Sequence, residues 1–338
     1  MHPNTQTIHT PVLLSAVLEC LAPHRGESYL DVTAGYGGHA TAVCQQTEAP
    51  ERMTLVDRDA TAIAALQPLA DKGAALMHAD FLTASQSLAE KGDQYDMILA
   101  DLGVSSLHLD SPERGFSFRA KGPLDMRMDS RNQLTAATIV NEYDEQALVE
   151  ILRHNGEEPR AKKIAAMIAA RRPFADTLEL ADAIAEIIPK KGKIHPATRT
   201  FQALRIAVND ELGQLENSLD LWLSLLTPGG RLGVISFHSL EDRIVKQVFA
   251  KVSGERYDAD FRLVTKKPVV GDDTEIVFNP RSRSAKLRVV AKIKNTERER
   301  QYANPRKSRI EFALSGGTTS VPPDQKQILK NINKNNYL

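Results

Sequence analysis

Asp31-Val32-Thr33-Ala34-Gly35-Tyr36-Gly37-Gly38-His39 is the stretch on which the fold turns. It follows the short apolar run Tyr29-Leu30 and opens onto the Ala/Val-rich segment Ala40 to Gln46. A strand that ends in a carboxylate, a tight glycine turn and then a helix form the opening unit of a nucleotide-type α/β domain. Glycine lets the backbone come close to a ligand, and the helix N-terminus presents unpaired N–H groups. The spacing is G-x-G-G, which differs from the G-x-G-x-x-G that cradles a dinucleotide pyrophosphate. An acid before the glycines, with no phosphate-binding lysine after them, suits a ligand with an amino group and no phosphate. S-adenosyl-L-methionine is such a ligand. On this stretch alone, an ordinary glycine-rich βα turn would read the same way.

Neighbouring segments repeat the theme. Met53-Thr54-Leu55-Val56-Asp57 reads as a second strand ending in an acid, roughly twenty residues past the glycines, where ribose hydroxyls are held in nucleotide-binding βαβ units. Ala74 to His78 is a third strand, with Asp80 and Phe81 just beyond it. An acceptor beside an aromatic ring suits an adenine, carboxylate to the exocyclic amine and ring to the base face. Tyr95 to Asp101 is a fourth strand. Ligands bind at the carboxyl ends of parallel strands, and Asp31, Asp57, Asp80 and Asp101 all stand there. Helix spacing marks Thr10 to Leu21 and Ala60 to Leu69.

The rhythm then changes. Leu102 to Leu134 is a long polar segment with interleaved arginines and aromatics, a length that points to a functional loop. From Thr135 to Leu226 the apolar residues recur at three-and-four spacing. They predict helices over 136–143, 145–154, 161–171, 179–188 and 201–226, with Thr177 as a cap. A fifth strand is expected at Arg231 to Phe237, then a helix from Leu240 to Val252 with Ser239 as its cap and Asp242 at its third position. Phe261 to Thr265 and Lys286 to Ile293 read as closing strands. The expected organisation is an α/β domain in two parts, residues 1–106 and 227–293, around an all-helical insertion at 107–226. A polar, basic tail occupies 294–338.

With 338 residues, 42% hydrophobic and 25% charged, the chain has the composition of a globular protein with a substantial core. Its formal net charge is zero, so nucleic-acid binding has to use local basic patches. Cys20 and Cys44 lack metal-ligand spacing and read as core thiols of a reducing compartment, and no metal site is expected. No apolar run approaches the ~20 residues that span a bilayer, and the N-terminus lacks a signal-peptide core. The expectation is a cytoplasmic protein without a membrane partner. Oligomeric state is not readable, and a homodimer stays open.

A set of blocks, in one order along the chain, resembles the RsmH (MraW) family of bacterial small-subunit rRNA methyltransferases. The blocks are His9-Thr10-Pro11-Val12-Leu13-Leu14, Gly37-Gly38-His39, Val56-Asp57-Arg58-Asp59, Asp101 to Ser106, Arg114 to Phe118, Pro123 to Asp129, Gly156-Glu157-Glu158, His195 to Arg205, Val208 to Leu212, Ser236 to Lys246 and Asn279 to Arg288. The resemblance implies a class I, Rossmann-like methyltransferase domain with a mostly parallel seven-stranded sheet, interrupted by a helical substrate domain. It implies S-adenosyl-L-methionine as cofactor and, as substrate, the N4 amine of a cytidine in the decoding region (P site) of 16S rRNA in the small (30S) ribosomal subunit. It carries cofactor contacts onto Gly37, Gly38, His39, Asp57, Phe81 and Asp101. A further contact position holds His108, where the family commonly has glutamine; imidazole cannot copy both halves of an amide.

Methyl transfer to an amine is an in-line displacement, so positioning supplies much of the rate. The N4 amine of cytosine is a poor nucleophile, and a nearby acceptor for its proton would help. Asp101 and His238 are the candidates for that role. For Asp101 the favoured role is cofactor holding, and for His238 a supporting position. The Asp-Pro-Pro-aromatic turn of many amino-methyltransferases is replaced here by Asp101-Leu102-Gly103-Val104, which speaks against a DNA substrate. An RNA-binding assembly factor without turnover is a further alternative. Arg114, Phe118, Arg199, Arg281, Arg283 and Arg288 are the candidate RNA contacts, by phosphate pairing and base stacking; internal salt bridges and packing are the competing reading.

Overall fold

The computed structural model describes residues 11–105, 109–190, 192, 194–254 and 259–293. The expected contact at His108 and the expected tail at 294–338 lie outside the described residues. The seven strands β1 (Tyr29–Asp31), β2 (Met53–Asp57), β3 (Ala75–His78), β4 (Tyr95–Asp101), β5 (Leu226–Ser236), β6 (Phe261–Leu263) and β7 (Lys286–Lys292) form one sheet. Their order is β3-β2-β1-β4-β5-β7-β6. The first five are parallel, and β7 is antiparallel to both β5 and β6.

The central strands are buried on both faces, which is why β1, β4 and β5 read as near-continuous apolar runs. Strand order reverses between β1 and β4, the place where a parallel sheet opens a crevice at its carboxyl edge. One face is covered by helices α1 (Leu14–Leu21) and α2 (Gly38–Thr47) with the short α3 (Ala60–Ala65) and α4 (Gln67–Ala70), which share a core with Leu55, Met97 and Leu99. The other face carries α5 (Phe81–Lys91), together with two later helices given below.

Helices α6 (Ala136–Glu142), α7 (Glu145–His154), α8 (Ala161–Arg171), α9 (Thr177–Ile187) and α10 (Thr198–Asn209) pack around a separate apolar cluster. Ile139, Leu148, Leu152, Ile164, Ile168, Ile184 and Leu204 are essentially closed to solvent there. The expected functional loop at 102–134 feeds the same cluster. Phe116, Leu124, Met126 and Met128 are buried in it, and Asn209 clasps the backbone by accepting from Met128 N–H and donating to Met126 C=O, both at 2.8 Å. Much of that segment is therefore core.

The helix expected at 201–226 is two. Asp210, at φ 46°, ends α10 and starts α11 (Glu211–Ser224). Leu215, Leu219 and Trp222 of α11 enter the sheet's core, and Trp222 Nε1 donates to Ser85 Oγ of α5 at 2.8 Å. The same face takes α12 (Ser239–Val252). Two caps differ from expectation. Asp176 caps α9, its carboxylate accepting from Glu179 N–H, and Thr177 is the first helical residue. His238, not Ser239, caps α12 in a capping box with Glu241, so Glu241 takes the third helical position. A short helix, α13 (Asp273–Phe278), precedes the basic turn at 280–284. No helix among the described residues is long and apolar enough to cross a membrane.

Candidate functional site

A cavity of ≈ 350 Å³ opens at the carboxyl ends of β1, β2 and β4, within the size range of small-molecule sites. The glycine turn forms one wall. Gly37, at φ 79°, starts α2 and faces the protein: a Cβ there would sit 2.9 Å from Leu66 Cδ2. Gly38 lines the cavity, with Pro11 Cγ 2.4 Å from where its Cβ would be. At Gly38 a side chain meets the rigid proline ring, whereas at Gly37 Leu66 can yield and the left-handed backbone is what favours glycine.

Asp57 also lines the cavity and braces it. Its Oδ2 accepts from Gly35 N–H and its Oδ1 from Asp59 N–H, each at 2.8 Å. A carboxylate at the end of a parallel strand stands where ribose hydroxyls are held in nucleotide-binding βαβ units. Phe81 lies in the same wall, its ring edge-on to Trp222 with centroids 5.5 Å apart and the Arg58 guanidinium 5.4 Å from its centroid. Asp80 differs from the sequence reading. Both of its oxygens are taken by the amide and hydroxyl of Thr83 as the cap of α5, and it is not among the lining residues.

The deep end is acidic. His39, Asp101, Glu211 and Glu241 all line it. His39 is buried, with Nε2 3.0 Å from Val12 C=O and Nδ1 3.7 Å from Asp101 Oδ2. Asp101 Oδ1 has no hydrogen-bond partner, and a quarter of the side chain opens to the cavity. Burial, then the charges of Asp31 and Glu241, push its carboxyl well above the usual range. Asp31 sits just behind the wall, 1% exposed, accepting from Tyr29 O–H at 2.8 Å and Thr33 N–H at 3.2 Å. Burial, aided by the charge of Asp57, lifts it to about 7 against those two bonds.

Glu211 and Glu241 were not singled out from the sequence. Arg205 grips Glu211 with Nε and Nη2, each at 2.8 Å. Glu241 Oε2 accepts from Phe237 N–H at 2.8 Å and His238 N–H at 3.3 Å. Burial alone would raise Glu241, but His238, Arg205 and the Phe237 amide outweigh it and hold the carboxyl below its ordinary value. His238 is not a lining residue. Its Nδ1 accepts from Glu241 N–H, so Nε2 carries the hydrogen; it lies 3.2 Å from Glu241 Oε1 without hydrogen-bond alignment. Glu211, His238 and Glu241 have ligand atoms within 4.8 Å of one another. The protonated Nε2 and the arginine fork on Glu211 leave that trio without an open donor set for a metal.

The arginines and aromatics divide. Arg114 braces the site from outside, donating to Asp59 Oδ2 at 3.2 Å and to the carbonyls of Arg127 and Met128 at 3.1 Å. Arg288 is 12% exposed and donates to Asp242 Oδ1 at 2.7 Å. Both are committed to internal pairs. Phe118 packs against Phe201 and His195 in the helical cluster. Arg199 is exposed and reaches Glu157 C=O at 3.1 Å. Arg281 lines the cavity and pairs with Asp110 at 3.1 Å, while Arg283 is exposed.

The residues present fit S-adenosyl-L-methionine. Asp57 presents a carboxylate to the cavity, Phe81 offers an aromatic wall, and Asp101 with its neighbouring carboxylates suits a cation. A Rossmann-like sheet of this order with one antiparallel closing strand, and an acid-lined cavity at its switch point, defines a class I methyltransferase. The chain belongs to the MraW methylase family, whose model matches residues 6–293. It is 48% identical over 289 residues to the ribosomal RNA small subunit methyltransferase H of Nostoc sp. (strain PCC 7120), covering 84% of this chain and 92% of that one. The protein of the same name from Nostoc punctiforme is 49% identical over 290 residues, with 84% and 94% covered. That from Heliobacterium mobile is 46% identical over 309 residues, with 84% and 99% covered.

Proposed function

We propose that this protein methylates small-subunit ribosomal RNA, and specifically the exocyclic N4 amine of a cytidine in the decoding region of 16S rRNA within the 30S subunit. S-adenosyl-L-methionine, when bound, supplies an electrophilic methyl group on a positively charged sulfur. The observation that carries the reading is the acid-lined cavity at the β1/β4 switch point, in a chain this similar to small-subunit rRNA methyltransferases.

In this reading the chain's residues divide the work. Asp57 takes ribose hydroxyls, and Phe81 packs on the adenine. The turn at Gly37, Gly38 and His39 holds the amino-acid end, and Asp101 faces the sulfonium. His108 is proposed as a further contact. The target base has to leave its stack to reach the cavity, since its amine is otherwise inside a helix. Arg199, Arg281, Arg283 and Phe118 are proposed to receive the flanking RNA; Arg114 and Arg288 are withdrawn from that role by their internal pairs. The helical segment up to Asn209 is proposed as the substrate domain, with α11 assigned to the methyltransferase domain because its apolar face lies in the sheet's core. The enzyme is proposed to act in the cytoplasm, where subunits are assembled.

Mass mapping of 16S rRNA nucleosides from cells with and without the protein tests this reading. Loss of one N4 methylation in the decoding region is expected, restored by the purified protein and cofactor on the unmodified subunit. An unchanged map would overturn it.

A further inference from the structure

Phe237 stands at the end of the cavity that the proposed cofactor contacts leave open. Sheet order sets the lining residues in a row along the carboxyl edge. Phe81 comes just beyond β3, Asp57 at the end of β2, the glycine turn after β1, Asp101 at the end of β4 and Phe237 one residue past β5. In the reading above, adenine, ribose and the amino-acid end take the β3 to β1 side, with the sulfonium at Asp101. An in-line displacement needs the nucleophile on the side of the methyl group away from sulfur, in near-attack geometry. The next place along the edge, past Asp101, is the exit of β5.

That place is built around a ring. Leu102 N–H donates to Ile235 C=O at 2.9 Å, tying the turn after β4 to β5. Phe237 N–H donates to Glu241 Oε2 at 2.8 Å, which fixes the backbone that carries the side chain. The ring lies against Gly103, another lining residue: Phe237 Cδ2 is 3.3 Å and Cγ 3.8 Å from where a Cβ on Gly103 would sit. Gly103 is at φ 94°, a backbone that favours glycine, and its missing side chain leaves the ring its room. Leu102 to Ser105 carry no aromatic of their own. Phe237 is half-buried, whereas Val234, Ile235 and Ser236 before it are closed to solvent. A partly open aromatic in a cavity wall offers a face to a planar base, and flipped bases are held between aromatic and apolar side chains.

Resting on the nucleobase-amine reading above, we propose that Phe237 is the seat of the target base. The extruded pyrimidine stacks on its ring, which sets the exocyclic amine toward the methyl group beside Asp101. The ring touches the substrate and makes no bond to it.

Part of Phe237 also packs against the core that Leu99, Ile235 and Leu287 share, so alanine would mix lost packing with lost stacking. Phe237→Leu keeps an apolar side chain there and removes the aromatic face, while Phe237→Tyr keeps that face. Methylation of unmodified 30S subunits, calorimetry with S-adenosyl-L-methionine and a thermal melt are run on wild type and both variants. Phe237→Leu is expected to lose roughly ten-fold or more in kcat/KM for subunits, with cofactor affinity and Tm close to wild type, and Phe237→Tyr to recover most of that loss. A leucine variant that methylates within two-fold of wild type would remove the ring from the base seat. A deficit matched by an equal loss of cofactor affinity would make the ring a cofactor contact. A deficit shared by the tyrosine variant, with a lowered Tm in both, would make Phe237 a packing residue. Methyl groups are counted on the RNA whichever nucleotide receives them. A wrong target nucleotide therefore changes the methylation map and leaves the leucine deficit in place, whereas the expected map with a normal leucine variant overturns the seat alone.

Discussion

Gly35 donates its amide to Asp57 Oδ2 at 2.8 Å, tying the turn after β1 to the end of β2. The same carboxylate accepts from Asp59 N–H, the residue that caps α3. Two loops at the cavity thus hang on one side chain, so its proposed ligand role and its structural role are not separable.

Asp57→Ala is therefore expected to weaken cofactor binding and to destabilise the fold. It leaves two amides without their acceptor, at about 1–3 kcal/mol per unsatisfied donor, less where water reaches them. Titration calorimetry and a denaturant melt on one preparation check both effects. Unchanged affinity would remove Asp57 from the site, and an unchanged melt would show that water replaces it.

Asp31 gives a signed pH prediction. Its carboxyl is raised from 3.8 to about 7 on folding. Between these values the folded state holds a proton that the unfolded state has lost, so this group's contribution to stability falls as pH rises from about 4 to about 7 and is level above. Asp31→Asn cannot ionise, and its amide can still accept from Thr33 N–H and donate to the Tyr29 hydroxyl. It is expected to gain stability relative to wild type between pH 5 and pH 8. Removing its charge also relieves Asp101, in the same direction. Parallel Tm-versus-pH curves for the two proteins would refute the assignment.

Arg205 falls in a stretch that the sequence presents as basic and aromatic, and the structure spends it on Glu211 at the cavity wall. Arg205→Ala leaves Glu211 charged, buried and close to Glu241. Breaking a buried pair from one side costs about 3–5 kcal/mol. Arg205→Lys keeps the charge but not the two-pronged grip, and should fall between. Urea denaturation orders the three proteins; an alanine variant as stable as wild type would place the pair at no energetic consequence.

Sheet and helices were legible because burial on both faces writes apolar runs and one-sided burial writes three-and-four spacing. The break at Asp210 was not legible, because a left-handed residue between two amphipathic helices leaves the spacing almost continuous. Met126 and Met128 were hidden for the opposite reason: they are core residues in a segment with no regular period. Strand ends pointed to Asp57 and Asp101. Glu211 and Glu241 stand at helix starts, where an acid normally signals only a cap, and nothing local says that a cavity lies against them. Asp80 shows the same ambiguity resolved the other way, with the cap taking both oxygens.

Arg283 and Arg288 make the last contrast, five residues apart on one basic run. Arg288 points back onto Asp242, which also holds Lys286 at 3.0 Å, and that shared carboxylate joins β7 to α12. Arg283 is exposed in the turn before β7, beside Arg281 at the cavity. Arg283→Ala is expected to leave the melting temperature unchanged and to weaken subunit binding, with the log–log salt slope reduced by about one phosphate contact. Arg288→Ala is expected to lower the melting temperature, because Asp242 loses its least exposed partner, while leaving the salt slope in place. Binding measured over a salt series, with a melt of each variant, decides it. If Arg288→Ala reduced the slope without a loss of stability, the division between them would be reversed.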